Sequence, residues 1–237
     1  MQAKGKLYLI PTTLGESNPM DVLPQTVKRA IELMDIFVVE NEKDARRFIK
    51  SICPEKIQAN LKLSSLNKRT EKSEHFAMIK PCLEGKDMGL MSDAGCPGVA
   101  DPGAAIVKLA HENNIQVIPL VGPSSILLAV MASGMNGQSF AFNGYLPIDK
   151  DEKKATLRQL EKLSSDKNQS QLFIETPYRN NKMLEDLLQI LQPSTYICVA
   201  VDITLPTEYI KTFRVSEWKK IKVDLHNRPC IFIIHKM

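Results

Sequence analysis

The sequence predicts an α/β protein of two domains, with a mostly parallel sheet in the N-terminal half and a mixed sheet in the C-terminal half. Three observations carry this. Short apolar runs rich in branched residues alternate with segments of helical apolar spacing as far as residue 134, the pattern of strand–helix–strand crossovers in a parallel sheet. Beyond that point several apolar runs adjoin without an intervening helix, which calls for antiparallel pairs. Between the halves stands the turn sequence Val121-Gly122-Pro123-Ser124-Ser125, so the domains are expected at 1–120 and 121–237.

Residues 7–10 form the first expected strand. The helix over 24–34 follows, with Val27, Ala30, Ile31 and Met34 on one face. Residues 36–39 are a second strand, after which Asn41 caps a helix whose apolar face is Ala45, Phe48, Ile49 and Ile52. Strands at 88–91 and 117–120 flank a helix over 102–113, with Asp101 as its N-cap and Pro102 as its first residue. An apolar helix over 126–132 stops at Gly134. In the second half, strands are expected at 140–142, 172–175, 196–201, 208–213 and 230–234, and helices near 152–163 and 182–191. The stretch 164–170, Ser-Ser-Asp-Lys-Asn-Gln-Ser, reads as a polar loop.

With 43% apolar and 24% charged residues the chain has the composition of a soluble globular protein. A net charge of +4 permits a polyanionic partner without requiring one. The five cysteines, Cys53, Cys82, Cys96, Cys198 and Cys230, are scattered and odd in number, and no two form a Cys-x-x-Cys pair. This favours a reducing compartment over a disulfide or zinc scaffold. His75, His111, His226 and His235 lack metal-ligand spacing, so no metal is expected. No window approaches the roughly 20 apolar residues of a membrane span, and 7–10 is too short for a signal sequence, which points to the cytoplasm.

The densest turn chemistry lies at 92–103, Ser-Asp-Ala-Gly-Cys-Pro-Gly-Val-Ala-Asp-Pro-Gly, between a strand and a helix. Its glycines admit positive φ and close approach of a ligand, and its prolines stiffen the segments between them. Neither Gly-x-Gly-x-x-Gly after the first strand nor a P-loop is present, which argues against a Rossmann cofactor or a P-loop nucleotide. Four loops that follow strands, 11–16, 92–103, 122–125 and 175–179, are instead expected to converge on one cleft at the domain junction.

Five ordered motifs then carry a resemblance: Leu-Tyr-Leu-Ile-Pro-Thr-Thr-Leu-Gly, the 92–103 loop with Leu-Met before it, Val-Gly-Pro-Ser-Ser, Phe-Asn-Gly-Tyr-Leu-Pro, and Ile-Glu-Thr-Pro-Tyr-Arg. From residue 5 to about 180 the chain resembles the S-adenosylmethionine-dependent methyltransferases of the tetrapyrrole-methylase fold, and within them the bacterial small-subunit ribosomal RNA methyltransferases that act on a cytidine ribose 2′-oxygen. The resemblance implies a homodimer with S-adenosylmethionine held between two α/β domains. By position it assigns cofactor contacts to Pro11, to Ser92, Asp93, Ala94, Gly95, Cys96 and Val99, to Ser124 and Ser125, and to Glu175, Thr176 and Pro177. Cys96 stands where the family has threonine and reads as a packing or backbone contact.

Methyl transfer from a sulfonium depends mainly on in-line positioning, but a ribose hydroxyl must lose its proton. Glu40, Asp93 and Glu175, all at strand ends, are the candidate bases, with capping or ion pairing as their alternative roles. Arg46, Arg47 and Arg179 are the candidate substrate contacts, and Arg179 has a neighbouring carboxylate as an alternative partner. Further basic clusters, Lys150, Lys153, Lys154 and Arg158 on one helix and Lys211, Arg214, Lys219, Lys220 and Lys222 near Trp218, offer phosphate neutralisation or a solvated face. On the substrate side the chain departs from the family: Glu40-Asn41-Glu42-Lys43 replaces Glu-Asp-Thr-Arg, Leu66-Asn67-Lys68 replaces His-Asn-Glu, and Val201-Asp202-Ile203-Thr204-Leu205 replaces Arg-Glu-Leu-Thr-Lys. The expected function is methylation of an RNA ribose 2′-oxygen, with methylation of a tetrapyrrole-like small molecule, or a silent cofactor-binding module, as alternatives.

Overall fold

A computed structural model describes residues 3–67 and 70–236, so Lys68 of the 66–68 departure lies outside the described residues. The chain divides into two compact units, Met1–Ser124 and Ser125–Met237. In the first, β1 (Lys6–Ile10), β2 (Ile36–Val39), β3 (Lys62–Ser65), β4 (Met88–Met91) and β5 (Gln116–Pro119) form one sheet in the order β3-β2-β4-β1-β5. Every pairing in it is parallel. The helices are α1 (Gln25–Leu33), α2 (Glu42–Ile52), α3 (Lys72–Leu83) and α4 (Ala104–Glu112).

The strand order explains why these strands read as unbroken apolar runs. From β1 the chain crosses to one side of the sheet, and from β4 it crosses to the other; right-handed crossovers therefore place α1 and α2 on one face, α3 and α4 on the opposite one. The core agrees, since Ile10, Phe37, Val39 and Met91 pack with α1 and α2, whereas Leu7, Val38, Met88 and Leu90 pack with α3 and α4. Both faces are covered, so the central strands β2 and β4 turn apolar side chains to both sides. Gly89 is the exception within β4: a Cβ there would lie 2.6 Å from Phe37 Cδ1 and 2.7 Å from Ile10 Cδ1.

Two elements of this unit escaped the periodicity. β3 is an edge strand, Lys-Leu-Ser-Ser, with too little apolar content to register, and α3 carries Pro81 in its last turn. A third difference concerns the start of α4, which is Ala104 with Gly103 as N-cap, not Pro102 with Asp101. Asp101 Oδ1 accepts the N–H of Gly98 at 2.8 Å and of Gly103 at 2.7 Å, so its side chain closes the loop before the helix begins. Asn41 does cap α2, accepting from Lys43 and Asp44 N–H.

In the second unit α5 (Ser125–Ser133), α6 (Lys150–Lys167), α7 (Asn180–Ile190) and α8 (Val215–Trp218) accompany β6 (Phe140–Tyr145), β7 (Ser170–Ile174), β8 (Tyr196–Val201), β9 (Tyr209–Arg214) and β10 (Cys230–His235). The sheet runs β6-β7-β10-β8-β9, with β6 and β7 parallel and the other pairs antiparallel. The expected polar loop at 164–170 is instead the end of α6 and the start of β7. Ser164 faces inward, fully buried, and its Oγ accepts the Lys236 N–H at 2.9 Å; the helix ends only where Asn168 takes φ +47°. One lysine of the basic clusters and the tryptophan beside them are likewise internal. Lys153 is buried against Asp186 at 3.0 Å, and Trp218 is fully buried, donating Nε1–H to Ile197 O.

Among the described residues no helix is long and apolar enough to cross a membrane.

Candidate functional site

In the parallel sheet, β1 and β4 are neighbours whose connections leave in opposite directions, which makes their carboxyl ends the switch point where open α/β sheets open a crevice. The two loops that diverge there are 11–18 and 92–103. They are tied to each other: Thr12 N–H donates to Gly95 O at 3.0 Å, and Thr12 Oγ–H to Ser92 O at 3.2 Å. Gly95 (φ +74°) and Gly98 (φ +82°) supply the left-handed turns. Around Gly98 a Cβ would meet nothing closer than Ala104 N at 3.9 Å, so its backbone is open to approach. Gly122 is governed by space instead, because a Cβ there would sit 2.2 Å from Pro11 Cγ.

Glu40, at the end of β2, reaches across to the second loop. Its Oε1 accepts Ser92 Oγ–H at 2.8 Å and Asp93 N–H at 3.0 Å. Glu40 is thereby committed to holding the loop, and the carboxyl it presents is that of Asp93. The Asp93 carboxyl is pushed above the usual carboxylate range by partial burial first, then by the charges of Glu40 and Asp44. Asp101 is also raised, by burial and against its two backbone bonds. Its Oδ2 is buried without a hydrogen-bond partner; the nearby Ser92 hydroxyl is directed to Glu40 and to Ala94 O.

Beside Asp93 and Ala94 lies a pocket of about 390 Å³, whose other walls come from residues 12–17 and from Asp44, Arg47, Phe48 and Ser51 on α2. Arg47 is exposed and pairs with Asp44 at 2.6 Å and Glu16 at 3.8 Å. Arg46 turns away, donating to Gln58 O at 2.7 Å. Cys96 Sγ rests 3.4 Å from Pro123 O, and burial raises its thiol pKa, which fits a backbone contact rather than a nucleophile. Val99 is exposed on the second loop, Ser124 closes the first unit and Ser125 opens α5.

In the second unit, Glu175 follows β7 and is buried. Its Oε1 accepts Thr176 N–H at 2.7 Å and Arg179 Nε–H at 3.1 Å, and Arg179 Nη2 lies 2.9 Å away. The guanidinium also covers the Tyr178 ring at 5.4 Å. Glu175 and Arg179 therefore satisfy each other, and Asn227 N–H anchors Pro177 O at 3.1 Å. At the substrate-side departure, Asp202 (φ +49°) holds Arg228 Nε at 2.8 Å. Thr12, Ser17, Asp44, Phe48 and Asp101 were not nominated from sequence. Of these only Thr12 and Asp101 lie in quoted motifs; Asp44 and Phe48 looked like an ordinary helix.

A zwitterionic donor with a ribose and an adenine needs backbone polar groups, small hydroxyls and room beside the chain. The room beside Gly98, whose N–H is taken by Asp101, and the immobilised 92–95 turn fit such a group.

Residues 6–218 match the family described as Tetrapyrrole (Corrin/Porphyrin) Methylases. A protein of Buchnera aphidicola subsp. Schizaphis graminum named Ribosomal RNA small subunit methyltransferase I is 30% identical over 97% of this chain and 78% of its own length. Among solved structures, the methyltransferase CobJ superposes with a TM-score of 0.64 at 15% identity, covering 98% of this chain and 94% of that one. Uroporphyrin-III C-methyltransferase from Thermus thermophilus, complexed with S-adenyl homocysteine, superposes at 0.56 and 15% identity over 98% of both chains.

Proposed function

Because the chain belongs to the tetrapyrrole methylase family, we propose that it moves a methyl group from S-adenosylmethionine to the ribose 2′-oxygen of a nucleotide in small-subunit ribosomal RNA. The observation that carries the target is the relative named for small-subunit ribosomal RNA, matched along nearly the whole chain. The geometry supports the chemistry through Asp93, held at the switch point by Glu40.

Bound S-adenosylmethionine supplies an electrophilic methyl on a sulfonium. We assign its binding to Pro11, to Ser92, Asp93, Ala94, Gly95, Cys96 and Val99, to Ser124 and Ser125, and to Glu175, Thr176 and Pro177. Asp93 takes the proton of the attacking hydroxyl on its carboxylate. Its raised pKa brings it closer to working pH, which strengthens it as a base. Glu40 fixes the backbone of Asp93, and Glu175 fixes Thr176 and Arg179; both act as positioning residues. Of the proposed substrate contacts, Arg47 is the one that lines the pocket. The same reading makes the protein cytoplasmic and a homodimer, and Leu127 and Met131, one turn apart on α5 and exposed, support the second copy.

The test compares ribose methylation of small-subunit RNA from cells with and without this protein. One 2′-O-methyl mark is expected to vanish and to return with purified protein and donor. An unchanged map, or methyl transfer to small molecules alone, refutes the RNA target.

A further inference from the structure

The pocket beside Asp93 has the wrong walls for a phosphate. Three carboxylates, Glu16, Asp44 and Asp93, face it with a single cation, Arg47, and that cation is already paired to Asp44. An anion entering it would meet net negative charge and a guanidinium already giving its Nη2–H to Asp44. What the walls offer is a donor–acceptor pair in Arg47 and Asp44, a Ser17 Oγ that is buried without a partner, and the aromatic side chain of Phe48. That set suits a neutral heterocycle carrying both amino and carbonyl groups on one edge. At about 390 Å³ the pocket is at the small end for ligand sites, enough for one ring and its sugar. Its walls are also fixed, by the Thr12 bonds to Gly95 and Ser92 and by the Asn41 cap on α2.

We propose that this pocket receives a single unstacked nucleoside of the RNA acceptor, its base against Phe48, its polar edge read by Arg47 and Asp44, and its ribose toward Asp93. The proposal rests on the RNA reading above. A base must leave the stack to enter such a pocket, and its phosphates then stay outside, to be met by other cations. This assigns Arg47 to base recognition, not to charge neutralisation.

The test is binding of a single-stranded RNA heptamer spanning the methylated position, by fluorescence anisotropy between 50 and 200 mM KCl, for the wild type, R47A, D44N and F48L. Circular dichroism confirms that each variant is folded. Base recognition makes D44N and R47A each weaken binding about tenfold with the salt slope unchanged, and F48L, which keeps bulk but loses the ring, weaken it by about the same factor. A phosphate contact predicts the reverse for D44N, tighter binding, and a slope reduced by about 0.7 in R47A. Either of those results, or variants indistinguishable from wild type, overturns the nucleoside pocket while leaving RNA methylation intact. Failure of the wild-type protein to bind or methylate RNA overturns both.

Discussion

Replacing Asp101 by alanine removes one acceptor that holds two amides of the 92–103 loop, those of Gly98 at 2.8 Å and Gly103 at 2.7 Å. A hydrogen bond to a charged group contributes about 1.5–3 kcal/mol, and one to a neutral group about 1 kcal/mol. Burial raises the Asp101 pKa and so weakens the charged form, which places each bond near the lower limit, about 1.5 kcal/mol. Two bonds make about 3 kcal/mol, from which removal of a buried and unpartnered Oδ2 returns about 1, leaving a loss of about 2 kcal/mol. For a chain of this size that is a melting shift of about 4–8 °C. Asparagine keeps an Oδ1 acceptor and is expected to cost less than about 1 kcal/mol. Hydrogen exchange of peptides spanning 92–106 and urea unfolding read the effect. Alanine should speed exchange at Gly98 and Gly103 and lower the urea midpoint, and asparagine should restore most of both. An alanine variant with native exchange, or an asparagine variant as damaged as alanine, refutes the clamp.

Three other outcomes follow from the same structure. Gly122→Ala drives a Cβ into the rigid ring of Pro11, at 2.2 Å from Cγ, and should cost about 1–3 kcal/mol in urea unfolding and weaken S-adenosylhomocysteine binding by calorimetry. His235 is buried beside Ser170, and burial lowers its pKa, so the unfolded chain binds its proton first: its contribution is present above about pH 6.5 and is lost as pH falls below that value. Thermal unfolding from pH 8 to 5 should show that decline, and His235→Gln should flatten it. Asp186→Ala strands Lys153, whose side chain is 11% exposed, and should cost about 3 kcal/mol, whereas Lys153→Met should cost less because Lys182 remains 2.9 Å from Asp186; equal losses by urea titration would contradict this.

How far the sequence could be read depended on where each signal resides. Strands covered on both faces, such as 36–39 and 88–91, announce themselves as apolar runs, and Asn41 at the start of α2 is a local capping signal. β3 did not, because an edge strand needs little apolar surface, and the polar end of α6 misled because Ser164 and Ser170 are held by partners distant in sequence. The site divides the same way. Glycine-rich motifs marked the 92–103 loop, and the ordered motifs marked the family. That Glu40 binds Ser92 and Asp93, leaving the Asp93 carboxyl as the one presented, was invisible in the sequence.

By itself, then, the sequence determined the two α/β halves, the parallel character of the first sheet, the glycine-rich loop at 92–103 and the methyltransferase family, since all of these are written in residues adjacent along the chain or in short motifs. The tertiary structure alone decided which acids are committed and which is presented, that Asp101 closes a loop instead of starting a helix, and that Asp44, Arg47 and Phe48 line a pocket with Asp93. The physical reason is the strand order: placing β4 beside β1 and β2 brings together side chains some fifty positions apart, and no local periodicity encodes which strand is whose neighbour.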